Sequence, residues 1–135
     1  YTPDADFNGE DSFVYEVCDS NGACDQATVV ITINAIADNN APVATDDVAS
    51  VDEDGVLNGT TLLSNDSDPD GDELTINTTP VTGPTNGSLV INADGTYTYT
   101  PDADFNGEDS FVYEVCDSNG ACDQATVVIT INAIA

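Results

Sequence analysis

The chain has 135 residues, 26 of them Asp or Glu and none Lys, Arg or His, so its formal net charge is −26 at pH 7. Nucleophilic sites of the Ser-His-Asp or Cys-His kind cannot be built from it, nor can a lysine Schiff base or an arginine phosphate clamp. It also lacks the cations that neutralise nucleic-acid phosphates or an anionic membrane surface, which excludes both as partners.

High net charge favours disorder, but 40% of the residues are apolar and they alternate with polar ones as strands do. The longest apolar runs, such as Val29-Val30-Ile31, are far too short to cross a bilayer, so no membrane insertion by this segment is expected.

From the first residue onward, an internal repeat organises the chain. Tyr1 to Ala37 recur without a change as residues 99–135, an offset of 98. A period of that length corresponds to one small domain, not to a helical solenoid unit. The polar, Pro-closed stretch Asp38-Asn39-Asn40-Ala41-Pro42 reads as a linker at 38–42. Residues 1–37 are then expected to be the C-terminal strands of a preceding repeat and 43–135 a complete one, the whole a window onto a longer tandem array.

Strands are expected near 43–51, 56–63, 73–78, 87–92, 95–100, 109–117 and 122–132. Leu89 shares a face with Ile91, and Tyr97 with Tyr99. Phe111, Tyr113 and Val115 alternate with Ser110, Val112 and Glu114, and Ala125, Val127, Ile129 and Ile131 alternate with Gln124, Thr126, Val128 and Thr130. Helix formers are scarce, and Gly, Pro, Asn and Asp punctuate every few residues. About seven short strands in under 100 residues argue for an all-β, antiparallel sandwich.

The cysteines flank identical five-residue stretches. Asn-Gly at the centre of each is a strong hairpin signal. A three-residue loop Ser118-Asn119-Gly120 sets Asp117 opposite Ala121 and Cys116 opposite Cys122, with both sulfurs on the outer face by strand parity. Disulfides Cys18–Cys24 and Cys116–Cys122 within each hairpin are therefore expected, and with them an oxidising compartment. Free thiols are the alternative. A zinc site lacks both the tight Cys-x-x-Cys spacing and any His.

The strongest chemical signal is Asn65-Asp66-Ser67-Asp68-Pro69-Asp70-Gly71-Asp72. Aspartates at alternate positions followed by Gly are how a loop wraps oxygen ligands round calcium. Asp66, Asp68, Asp70 and Gly71 match the opening of an EF-hand loop, but position twelve is Asn77 and no helices flank it, so it is not an EF-hand. Asp66, Asp68, Asp70 and Asp72 repel one another, and a bound cation is the obvious compensation in a chain without Lys or Arg. A solvated acidic turn is the plainer alternative.

Val51-Asp52-Glu53-Asp54-Gly55, the Leu62–Asp72 stretch, and Asp94-Gly95-Thr96-Tyr97 through Ser110-Phe111 together resemble the tandem cadherin-like (bacterial Ig-like) repeats of large bacterial surface proteins. So do the Cys hairpin and the Ala41-Pro42-Val43 start. The resemblance implies a Greek-key Ig-like sandwich and calcium at the linker. It makes Glu53 the first-strand glutamate, Asp68 and Asp70 the paired aspartates, and Asp38 and Asn40 the linker ligands. Glu10, with Asp4 or Asp6, becomes the contribution of the preceding repeat. Ligands are thus expected to converge around Asp38, Glu53 and Asp68.

Taken together, a non-enzymatic structural repeat of a long secreted surface adhesin or extracellular filament is expected, with Ca2+ and neighbouring repeats of the same array as partners and self-association into fibres as a variant. The alternatives are a glycan- or protein-binding adhesion module and a filament subunit assembled by strand exchange. Enzyme chemistry survives only as paired carboxylates, as in glycoside hydrolysis, and is not expected.

Overall fold

A computed structural model describes residues 1–134 and divides the chain into two compact units, Tyr1–Asp38 and Asn39–Ala135. Ala135, the last residue expected in the complete repeat, lies outside the described residues.

Unit 1 is one antiparallel hairpin of β1 (Gly9–Cys18) and β2 (Cys24–Ile33), in register from Gly9 opposite Ile33 to Cys18 opposite Cys24. Its apolar residues alternate as expected, yet Phe13, Tyr15 and Val17 are 48%, 44% and 58% exposed.

Unit 2 is a sandwich of seven strands: β3 (Asp47–Asp52), β4 (Leu57–Gly59), β5 (Thr75–Ile76), β6 (Gly87–Ile91), β7 (Tyr97–Pro101), β8 (Gly107–Cys116) and β9 (Cys122–Asn132). One sheet has the order β3-β9-β8-β5 and the other β4-β7-β6, with β3 parallel to β9 and every other pair antiparallel. The two inner faces meet in a core of Phe111, Tyr113, Val115, Val127, Ile129 and Ile131 from β8 and β9, with Tyr97, Tyr99 and Ile91 across from them. The Tyr97 and Phe111 rings pack edge to face at 5.4 Å, a contact that adds to the area they bury.

The all-β sandwich agrees with the alternation in the sequence, while several edges differ from it for local reasons. The expected strand 43–51 pairs as a strand only from Asp47. Pro42 has no N–H, the Ala44 N–H donates to Asp123 Oδ2 at 2.9 Å, and the Thr45 N–H donates to Asp66 Oδ1 at 2.8 Å. Side-chain acceptors thus take the donors that a ladder would use. Val43 keeps only an isolated bridge to Ser67.

The expected strand 56–63 shrinks to Leu57–Gly59, because Thr61 caps a 3-10 turn over Leu62–Asn65. Gly59 is required where it sits, since a Cβ there would overlap the Tyr97 ring. The expected strand 73–78 pairs only at Thr75 and Ile76.

Candidate metal centre

Both Cys hairpins close as disulfides, Cys18–Cys24 and Cys116–Cys122. The β8–β9 turn is the one read from the sequence: the Asp117 N–H donates to the Ala121 carbonyl at 2.8 Å. Cys116 lies on the outer side of the strand, and Val115 and Asp117 lie within. Glu16 and Glu114 approach the sulfurs of their hairpins, but bridged sulfurs are not thiolates and offer no ligand.

That parity has a consequence for Asp117. It puts a carboxylate on the inner face at the end of the sandwich, only 5% exposed. Asp117 Oδ1 accepts the N–H groups of Asn119 (2.9 Å) and Ala121 (3.0 Å), which shapes the turn, and Oδ2 accepts from Asn39 Nδ2 (2.9 Å). Burial raises its pKa, but these donors outweigh burial and hold the carboxyl below the usual carboxylate range.

The acidic loop meets this turn. Asp68, Asp72 and Asp117 each bring a carboxylate oxygen within 4.8 Å of the others. Asp68 Oδ1 accepts the N–H groups of Asp70 (2.8 Å) and Asp72 (3.2 Å), and the Gly71 N–H donates to the Asp68 carbonyl at 3.0 Å. The loop therefore wraps round Asp68, and Gly71 takes φ of +76°, a value that favours glycine.

Asp68 Oδ2 is buried and has no hydrogen-bond partner among the described residues. Asp72 Oδ2 accepts from Asn119 Nδ2 at 3.2 Å. Burial, then the charges of Asp68, Asp117 and Asp70, raise the Asp72 pKa. Asp70 sits beside this group and is held by Asn40, whose N–H and Nδ2 donate to its two oxygens at 2.7 and 3.0 Å.

The remaining expected ligands are distributed otherwise. Asp66 faces the sandwich interior: its carboxylate accepts the Tyr113 hydroxyl at 2.9 Å as well as the Thr45 N–H. Tyr113 also donates towards Asp47 Oδ2 at 3.1 Å. Burial raises the pKa of Asp47, Asp66 and Tyr113 alike.

Glu53 does not meet Asp68. It follows β3, and its oxygens accept from the Ile134 N–H (2.9 Å) and Asn106 Nδ2 (3.2 Å). Beside it the Asp104 N–H donates to Asp54 Oδ1 at 3.0 Å. Because β3 runs parallel to β9, its last residue is level with Asn132, whereas Asp117 precedes Cys122 at the other end of β9. Ten residues of strand cover about 34 Å, so one ion cannot take both Glu53 and Asp68.

In unit 1, Asp4 and Asp6 lie in the turn before β1, with Asp6 at φ +63°. Glu10 lies opposite Thr32, and Asp38 ends the unit, exposed. None of Asp4, Asp6, Glu10, Asp38 and Glu53 belongs to a group of three close metal-type donors among the described residues.

A sequence model described as a bacterial Ig domain matches residues 1–32 and 39–130. The chain belongs to the bacterial Ig domain family. No curated protein matches it in sequence.

Among solved structures, this bacterial Ig chain is similar to an H294Q variant of the endo-fucoidan hydrolase MfFcnA4 of glycoside hydrolase family 107, with 24% identity and a TM-score of 0.54 over 98% of the chain. A second endo-fucoidan hydrolase of that family, MfFcnA9, matches at 24% identity and a TM-score of 0.48 over 96% of the chain. The chain spans only 20% and 23% of those proteins. At this level the likeness to MfFcnA4 concerns the fold alone.

Proposed function

We propose that this bacterial Ig chain is a non-enzymatic structural repeat of a long secreted surface adhesin or extracellular filament, locked by its hairpin disulfides and by calcium held at one end of each sandwich. Family membership and the disulfides support an extracellular setting. No helix among the described residues is long and apolar enough to cross a membrane.

The observation that carries the reading is the meeting of Asp68, Asp72 and Asp117, with Asp68 Oδ2 buried and unpartnered. Hard oxygen donors of this kind suit calcium, which accepts six to eight oxygens at flexible geometry, and do not suit a soft metal. Asp68, Asp72 and Asp117 would hold the ion, and the Asn40–Asp70 hydrogen bonds would brace the loop around it. Bound calcium neutralises like charges that no Lys or Arg in the chain can offset.

Isothermal calorimetry with calcium, on the chain and on Asp68→Asn and Asp117→Asn, tests this. Calcium binding that both substitutions weaken by about tenfold or more is expected. Unchanged affinity in both variants would place any bound ion elsewhere.

A further inference from the structure

The Cys116–Cys122 disulfide and the candidate metal centre sit back to back on the β8–β9 hairpin. Cys122 is exposed and Cys116 half-buried, so the bridge can be reached from the outer face, whereas Asp117 is buried behind it. The loop that the bridge closes runs from Asp117 to Ala121. That loop supplies Asp117 itself and also Asn119, whose Nδ2 donates to Asp72 Oδ2 at 3.2 Å and to Asn39 Oδ1 at 2.9 Å.

The bridge also ties together the segments that wall the centre. Cys116 pairs with Thr75, just past the acidic loop, and accepts the Thr75 hydroxyl at its carbonyl at 3.4 Å. Asp123, next to Cys122, holds the Ala44 N–H just past Pro42 at 2.9 Å. Cys116 opposite Cys122 is the last pair of the β8–β9 ladder. Beyond it, among the described residues, the turn is closed only by hydrogen bonds that Asp117 makes with Asn119, Gly120 and Ala121. Against those bonds works charge: Asp72 is repelled by Asp68, Asp117 and Asp70, and the chain has no Lys or Arg to offset this. Without a bound cation the repulsion pushes the turn away from the acidic loop, and the bridge resists it.

We propose that the Cys116–Cys122 disulfide is a redox control on the centre behind it: it holds the Asp117 turn in the shape that binds calcium, and its reduction loosens the turn and weakens binding. The inference rests on the calcium reading of Asp68, Asp72 and Asp117 and adds the regulation of that site. The reductant is a dithiol. One of its thiolates attacks a sulfur of the bridge and the second releases it. Cys116 and Cys122 leave as thiols with two electrons and two protons, and the dithiol closes to its own disulfide. The coupling is reciprocal, so bound calcium protects the bridge by the factor that the bridge adds to calcium affinity.

The test uses Cys18→Ser/Cys24→Ser, which leaves Cys116–Cys122 as the only bridge and touches none of the three aspartates. Calorimetry with calcium on this variant, oxidised and then reduced by dithiothreitol, is expected to show about tenfold weaker binding after reduction. Oxidised, it should bind as the unmutated chain does. Cys116→Ser/Cys122→Ser should match the reduced form, with circular dichroism checking that the sandwich remains. If that variant does not fold, Cys116→Val/Cys122→Val keeps an apolar cross-strand pair without the bond and takes its place. The same tenfold makes the reduction potential of Cys116–Cys122 about 30 mV more negative in saturating calcium than in EDTA.

Equal affinity in the oxidised and reduced folded forms would overturn the inference. So would an equal loss in oxidised Cys18→Ser/Cys24→Ser, because the effect would then not belong to this bridge. If the oxidised chain binds no calcium, the calcium reading fails on its own, and the side-chain amide NMR signals of Asn119 and Asn39 in metal-free protein decide what the bridge does. Signals that collapse towards free-amide positions on reduction uphold its hold on the turn, and unmoved signals overturn it.

Discussion

Asp109 and Asp11 are the same residue in the two copies of one sequence, and removing each should have very different effects. Asp109 is 6% exposed. It accepts the Tyr99 hydroxyl at 2.7 Å and the N–H groups of Ser110 (2.8 Å), Asn86 (2.9 Å) and Thr85 (3.1 Å). These bonds tie the β8 strand to the segment before β6 and to β7. Among the described residues Asp11 accepts only from Tyr1 and Ser12, and it is exposed.

In Asp109→Ala the donors of Tyr99, Asn86, Thr85 and Ser110 lose their acceptor; Ser110 is exposed, and its loss is matched by that of Ser12 in Asp11→Ala. A buried unmet donor costs about 1–3 kcal/mol. Thr85 is exposed and Asn86 half-buried, so water will serve both in part, and the Tyr99 hydroxyl keeps a 3.3 Å contact with the Asn86 carbonyl. The lower end of the range applies, giving roughly 2–4 kcal/mol in all. For a domain of this size that lowers Tm by about 10–25 °C. Asp11→Ala should stay within about 0.5 kcal/mol, as surface changes do. Thermal unfolding followed by circular dichroism reads both variants. Equal losses from the two substitutions would refute the argument, because context and not sequence is held to set their cost.

Other outcomes follow from the same geometry. Reducing both disulfides should destabilise unit 2 by about 2 kcal/mol, the entropy of freeing so short a loop, read as a lower Tm in dithiothreitol. Gly59→Ala should destabilise by about 1–3 kcal/mol, because the new methyl meets the Tyr97 ring, seen as a lower urea midpoint.

The metal-free chain should respond to acid in two stages. Burial raises Asp47, Asp66 and Asp72, so their charged forms oppose folding, and Tm should rise as pH falls from 7 towards about 4. Asp109 and Asp117 are lowered, since their hydrogen-bond donors outweigh the opposing effect of burial. Their contribution is present above the ordinary carboxylate value and is lost as pH falls through their depressed values, so Tm should drop again below about pH 3.5. A Tm that declines steadily from pH 7 would contradict this ordering.

The sandwich was legible because alternation in Phe111–Val115 and Ala125–Ile131 is a local property that the core then uses directly. The hairpins were legible for a similar reason, since Asn-Gly between the cysteines fixes the turn. The candidate metal centre was legible only in part. Asp68 and Asp72 stand out as a loop pattern, but Asp117 joins them across the fold, and it reads locally as a turn residue. The available signal was parity: with the cysteines facing outward, Asp117 had to face inward. The expected convergence of Glu53 with Asp68 failed because the parallel register of β3 on β9 decides which end of the sandwich Glu53 reaches. No local pattern carries that register.

Nor does the sequence alone say that identical hairpins will differ in burial. That difference depends on the partners that residues 39–98 supply to Phe111 and Tyr113, which are fully buried, while Phe13 and Tyr15 are about half exposed.

The central claim is that calcium held by Asp68, Asp72 and Asp117 locks the acidic end of the sandwich, and melting the chain in saturating calcium and in excess EDTA tests it most directly. At calcium a hundredfold above its dissociation constant the folded state gains about 2.7 kcal/mol, which predicts a Tm higher by roughly 10–20 °C, with that gain largely abolished in Asp68→Asn. Superimposable melting curves in calcium and in EDTA would contradict the account.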